Sequence, residues 1–226
     1  MADKKLKKTT TVHEHPMHVP VSRKNPTGIT TRHQHNRRVY ASTSAEELKE
    51  IYLNYLKNQI PYPSAGKLTE FKNSDTYDEL IAVWCDYFNQ KFPPTPPEAP
   101  LDPNIIKALI ASESSFNIKA KNGNAYGIAQ ITTSTLKILQ DPDGEAKDFL
   151  FKDIRQKDLY DPEIAIPLAT RWLFRKKATA TKRLGHVPSA EELILEYKGL
   201  TKSSTSYKKS ALINFKDAYE KLLSKK

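Results

Sequence analysis

The chain has 226 residues, 38% apolar and 27% charged, with a mean hydropathy of -0.63, enough apolar sequence for one sizeable core or two small ones. Its single cysteine, Cys85, excludes an internal disulfide scaffold and argues against a cysteine-based zinc cluster. The net charge is +10, yet residues 1–40 alone carry nine Lys/Arg against Asp3 and Glu14, so any polyanion partner is a question about that tail before it is one about the rest.

From Met1 to about Arg38 the sequence is polar, interrupted by Pro16, Pro20 and Pro26, and almost without apolar periodicity; residues 1–40 read as a disordered basic tail. No recognised nucleic-acid motif accompanies the charge, so no specific nucleic acid is expected. His13, His15, His18, His33 and His35 crowd the same segment, but ligands on a floppy chain lack a preorganised shell, and the expectation is no metal and no cofactor. The first residues are basic with no apolar stretch behind them, and no apolar run approaches the roughly 20 residues of a membrane span. The expectation is synthesis in the cytoplasm without a Sec signal and no membrane insertion.

Order is predicted to begin at Ser44, where Ser44 and Glu47 form a capping-box pattern ahead of Leu48, Ile51, Tyr52, Tyr55 and Leu56 at helical spacing. A second amphipathic helix runs from about Asp75 to Lys91, with Tyr77, Leu80, Ile81, Trp84 and Phe88 on one face and Cys85 as an inert buried thiol. Residues 41–92 thus form an N-terminal helical region. The proline-rich stretch 93–100 reads as a stiff connector and a subdomain boundary, leaving 101–226 as a second domain.

There Asp102 is an N-cap and Pro103 a first helical residue, followed by Ile105, Ile106, Leu109 and Ile110 to about Ser114. A polar loop with Gly123 leads to Gly127-Ile128-Ala129-Gln130-Ile131 and a short helix near Thr133. Asp161-Pro162 opens a helix to about Lys177, and Ser189 with Glu192 caps another that Gly199 stops. The last helix carries Leu212, Phe215, Ala218, Tyr219 and Leu222. With no set of alternating strands, the fold class is mainly α.

Glu113 stands out. It extends the row Ile106, Leu109, Ile110 by one helical step, which places a carboxylate on the core-facing side of a helix end. Such a group is either paired or functional. Without a close cation, desolvation and the negative end of the helix dipole both disfavour its charged form, the tuning a general acid needs.

The text around Glu113 resembles the soluble lytic transglycosylases, relatives of goose-type lysozyme. Residues 108–135 supply Glu113-Ser114, Phe116-Asn117, Ala120 and the 127–131 segment in the family's order, and 160–173 and 195–200 match two downstream motifs. The resemblance covers about residues 100–222. It implies a lysozyme-like helical domain in which Glu113 is the catalytic acid, Ser114 and Gln130 position the substrate, and Tyr197 orients Glu113. The implied reaction cleaves the β-1,4 bond between N-acetylmuramic acid and N-acetylglucosamine in peptidoglycan glycan strands, with 1,6-anhydro ring formation. The sequence departs from the family at Ile118, in a loop one residue short, and at Ala129 and Lys198, the last two bearing on the sugar-facing wall. Glu196, Asp141 and Asp143 are candidates for a second acid that would make the enzyme a water-using muramidase.

Together with a cytosolic origin, the resemblance leads to an expected antibacterial effector. It would be exported by a contractile, type VI-like secretion machine, act in the periplasm or wall of a target bacterium, and be paired with an immunity protein and a secretion-machine component. A phage endolysin and a non-catalytic glycan-binding or structural module are the alternatives.

Overall fold

The computed structural model describes the backbone of 8–12, 15–18, 29–32 and 35–39 and, with their side chains, residues 44–58, 66–94, 100–145 and 151–224. Two compact units are present, Met1–Thr43 and Ser44–Lys226.

In the first unit four short strands lie inside the segment that the sequence reads as a disordered tail: β1 (Lys8–Val12), β2 (His15–His18), β3 (Ile29–Arg32) and β4 (His35–Val39). β1 pairs antiparallel with β4, Lys8 opposite Val39, and β2 with β3, His15 opposite Arg32. Thr9, Thr10, Thr11, Val12, Ile29, Thr30 and Thr31 are β-branched, a composition that suits extended backbone. The tail's histidine side chains lie outside the described residues.

The second unit is helical. It comprises α1 (Ser44–Lys57), a 3-10 turn (Ser74–Tyr77) leading into α2 (Asp78–Lys91), α3 (Pro103–Ser114), three two-residue strands β5 (Lys121–Asn122), β6 (Ala125–Tyr126) and β7 (Ile131–Thr132), then α4 (Thr133–Leu139), α5 (Pro162–Leu184), α6 (Ala190–Tyr197) and α7 (Thr205–Ser224). Asp102 accepts from Asn104 N at 2.9 Å, Asp161 from Glu163 N at 2.9 Å, and the Ser189/Glu192 box closes in both directions. The helix starts follow from these side chains, which satisfy amide donors the first turn leaves open. At Ser44 the cap comes from elsewhere: the Ser44 amide donates to Asp153 Oδ1 at 2.7 Å, a partner 109 residues away. α5 runs past Lys177 to Leu184, where Gly185 at φ 76° ends it.

The proline-rich stretch does not divide two cores; its residues 95–99 lie outside the described set. Leu48 of α1 and Leu80, Ile81, Trp84 and Phe88 of α2 share one buried cluster with α3, α5 and α7. The N-terminal helices have too little apolar surface to enclose a core of their own, and they pack instead on α5 (both helices) and α3 (α2). α3 is buried on every side from Pro103 to Ala111. Two polar residues inside it are tied to the preceding segment: Asn104 Oδ1 accepts from Gly66 N at 2.7 Å, and Lys107 Nζ donates to Gly66 O at 2.6 Å. Lys107, wholly buried, is ion-paired with Asp75 at 3.1 Å and Asp78 at 2.6 Å. Cys85 is buried and donates to Leu101 O at 2.9 Å, and burial pushes its thiol up, away from thiolate chemistry. No described helix is long and apolar enough to cross a membrane.

Candidate active site

The site is built at the C-terminal end of α3. Ser115 N closes the helix on Ala111 O at 3.1 Å, and then Ser115 and Phe116 take φ of 51° and 62°. Two consecutive non-glycine residues in the left-handed region store strain. The anchor is the Phe116 ring, buried against Phe71 at 5.8 Å and parallel to Tyr77 at 6.4 Å. The turn reverses the chain, so that β5, β6 and β7 return beneath the helix end, Lys121 opposite Tyr126 and Tyr126 opposite Ile131.

The segment after β6 is held by backbone. Gly127 N donates to Ala120 O at 2.9 Å, and Gly127 at φ 72° lies so close to the 3-10 turn Gln156–Tyr160 that a Cβ would meet Leu159 O at 1.8 Å. Gln130 is left-handed at φ 49°, buried, and bonded to Gly127 O through both its amide (3.2 Å) and its Nε2 (2.9 Å). Ser114 Oγ donates to Ile128 O at 2.6 Å, stitching α3 to this segment. From the other side the Tyr197 hydroxyl, at the end of α6, donates to Ala129 O at 3.0 Å.

A groove of about 510 Å³ runs along this end of the domain, lined by Glu113, Ser114, Asn117, Lys119, Lys121 and Gln130 among others. That size lies within the range of ligand clefts, so a saccharide has room beside the carboxylate. Glu113 is only 16% exposed and accepts a hydrogen bond at 2.6 Å from the Lys198 ammonium, itself 16% exposed. Glu113 is therefore paired, one of the two alternatives the sequence leaves open for it. The cation comes from the turn after α6, 85 residues away, beyond the reach of a local sequence pattern.

Tyr197 is near the acid, since the charge of Glu113 adds to burial, the larger cause, in pushing its phenol well above the usual value. Its hydrogen bond, however, goes to Ala129 O and not to Glu113. The residue touching Glu113 is Lys198. Ala129 is fully buried and forms no wall, whereas Lys198 does face the acid. Ser114 and Gln130 line the groove, but the hydrogen bonds they donate run to protein carbonyls.

None of the candidates for a second acid lines this groove. Glu196 is buried and paired with Arg183 Nη2 at 3.2 Å and Lys176 at 3.8 Å. Asp141 and Asp143 are exposed in the turn after α4, where Asp143 N donates to Asp141 Oδ1 at 3.1 Å. Among the described residues, Glu113 is the one carboxylate in the groove lining.

A comparison with curated proteins finds no match for this chain. A comparison with family models matches the transglycosylase SLT domain over residues 98–196, from just before α3 to the penultimate residue of α6. The matched stretch contains Glu113, Ser114, Gln130 and the fold that presents them, and it ends one residue before Tyr197. Residues 98–196 thus match a transglycosylase SLT domain, consistent with a lytic transglycosylase or lysozyme-like catalytic domain.

Proposed function

We propose that this protein cleaves the β-1,4 bond between N-acetylmuramic acid and N-acetylglucosamine without water. Glu113 gives its proton to the glycosidic oxygen as the bond from the muramyl C1 breaks. The developing positive charge is carried by the substrate, through its N-acetyl group or an oxocarbenium-like state. The Glu113 carboxylate then takes the proton of the muramyl 6-hydroxyl as O6 closes on C1, and the acid is regenerated. One observation carries the reading: among the described residues a single carboxylate lines the groove, where most hydrolases need two. The competing reading, a non-catalytic glycan-binding module, draws on the engagement of Glu113 by Lys198.

Digestion of purified peptidoglycan by wild type and Glu113→Gln, followed by mass spectrometry, tests both. Anhydro-muropeptides from wild type alone are expected, with a loss in the variant of about 100-fold or more. Reducing-end products would instead assign a muramidase, and no product from either protein would assign a binding role.

For the site of action, an antibacterial effector suits the basic composition of residues 1–40, a segment apt for docking on an export machine. Directing the protein to the periplasm of a test bacterium should lyse the cells. Lysis that persists after removal of 1–40, with delivery into neighbouring cells lost, is the expected signature; delivery that survives the deletion would remove the tail from that role.

A further inference from the structure

Lys198 occupies the acid before any substrate arrives. Its backbone is pinned, since Lys198 N bonds to Ile194 O at 2.9 Å and Gly199 turns the chain at φ 70°. The ammonium on its four-carbon stem is the movable part. Two other lysines, Lys119 and Lys121, line the groove that Glu113 opens onto. The Lys121 ammonium lies 5.8 Å from the centre of the Tyr126 ring, and the Lys119 side chain makes no ion pair among the described residues. Lys198 thus holds the carboxylate, and Lys119 and Lys121 add positive charge to the groove lining.

A saccharide oxygen that is to receive the Glu113 proton from Oε1 must take the place that Lys198 Nζ now holds. A neutral sugar can compensate the displaced ammonium with hydroxyls only, leaving a largely buried cation without its counter-charge, which is costly. A substrate with its own carboxylate near the bond supplies the replacement, and Lys119 and Lys121 bias the groove toward the same charge.

Resting on the transglycosylase reading, we propose that Lys198 is a specificity residue that selects glycans bearing a carboxylate next to the cleaved bond. On binding it moves from Glu113 to that carboxylate and frees the acid. The carboxylate is supplied by the peptide joined to the lactyl group of the muramyl sugar or, on strands without peptide, by the lactyl group itself; the chemistry read by the lysine is the same.

The test compares wild type, Lys198→Asn, Lys198→Gln and Lys198→Arg on three substrates: native peptidoglycan, peptidoglycan whose carboxylates have been converted to amides, and glycan strands stripped of peptide so that the lactyl carboxylate is exposed. Wild type should cleave the native form about tenfold faster than the amidated one, the worth of one charged hydrogen bond. The two neutral variants should bring that ratio close to one, mainly by raising KM on native strands, and the arginine variant should keep it. Strong cleavage of stripped strands that depends on Lys198 assigns the lactyl carboxylate; weak cleavage assigns the peptide. A wild type that neither prefers native to amidated strands nor needs Lys198 on stripped ones, or a preference that persists in both neutral variants, overturns the proposal while leaving transglycosylation standing. A wild type that cleaves none of the three overturns both.

Discussion

Lys107 Nζ lies 2.6 Å from Asp78 Oδ1 in the interior, and this pair joins the helix that carries Glu113 to the N-terminal helical region. Lys107 has no solvent exposure and holds Gly66 O and Asp75 as well. Burial raises the Asp78 carboxyl, and the lysine opposes it; the lysine hydrogen bond is the chief cause holding Asp75 below its usual range. Removing the cation strands a buried carboxylate and an unmatched carbonyl. Lys107→Ala should therefore lose about 3–5 kcal/mol in urea denaturation. A loss within 1 kcal/mol, as for an exposed ion pair, would show that residues 66–78 do not brace α3.

Gly127 is the position where the fold tolerates no side chain. A Cβ would stand 1.8 Å from Leu159 O, and the backbone is at φ 72°. Backbone must move, and Gln130, which bonds twice to Gly127 O, moves with it. Gly127→Ala should cost on the order of 4 kcal/mol, read as a fall in melting temperature, with glycan cleavage lost in whatever folds. An active, wild-type-stable variant would contradict the close approach.

Much of this arrangement is legible in the sequence because its causes are local. Asp102-Pro103, Asp161-Pro162 and the Ser189/Glu192 box start helices where they do since each side chain satisfies its own helix's amides. Glu113 is visible as the one acid extending an apolar row. The long-range relationships are not visible. Lys107 sits among apolar residues with no local sign that Asp75 and Asp78 meet it, Ser44 takes its cap from Asp153, and Lys198 reaches Glu113 only once α6 has packed on α5 and α7. The proline-rich stretch misleads for a related reason: it marks stiff backbone, whereas the extent of a core depends on which faces meet.

Tyr197 tests whether the phenol is a clamp or an acid. Its hydroxyl donates to the carbonyl of fully buried Ala129, and burial, then the Glu113 charge, keeps it protonated well beyond its usual range. Tyr197→Phe leaves a buried acceptor unpaired and should cost about 1–3 kcal/mol. The rate profile across neutral pH should keep its shape, because no tyrosine ionisation falls there. Loss of a limb of that profile would mean that the phenol exchanges a proton in the reaction.

Asp153 gives the fold a pH dependence whose sign can be worked out. Burial pulls its carboxyl up, but hydrogen bonds from Ser44, with its own backbone and Arg155 helping, outweigh that and leave it below the usual 3.8. A carboxyl lowered in the folded state adds stability above its unfolded value and loses it as the pH falls through the folded one. The attachment of α1 should therefore be constant at neutral pH and weaken only below about pH 4. Asp153→Asn should cost about 1 kcal/mol at neutral pH, the worth of a helix cap, and the gap to wild type should close on acidification. Amide exchange at the start of α1 reads the same event locally, quickening in the variant at all pH values and in wild type only in acid. A gap that stays constant down to strong acid would mean that the uncharged Asp153 caps Ser44 equally well, and that geometry, not charge, holds the helix in place.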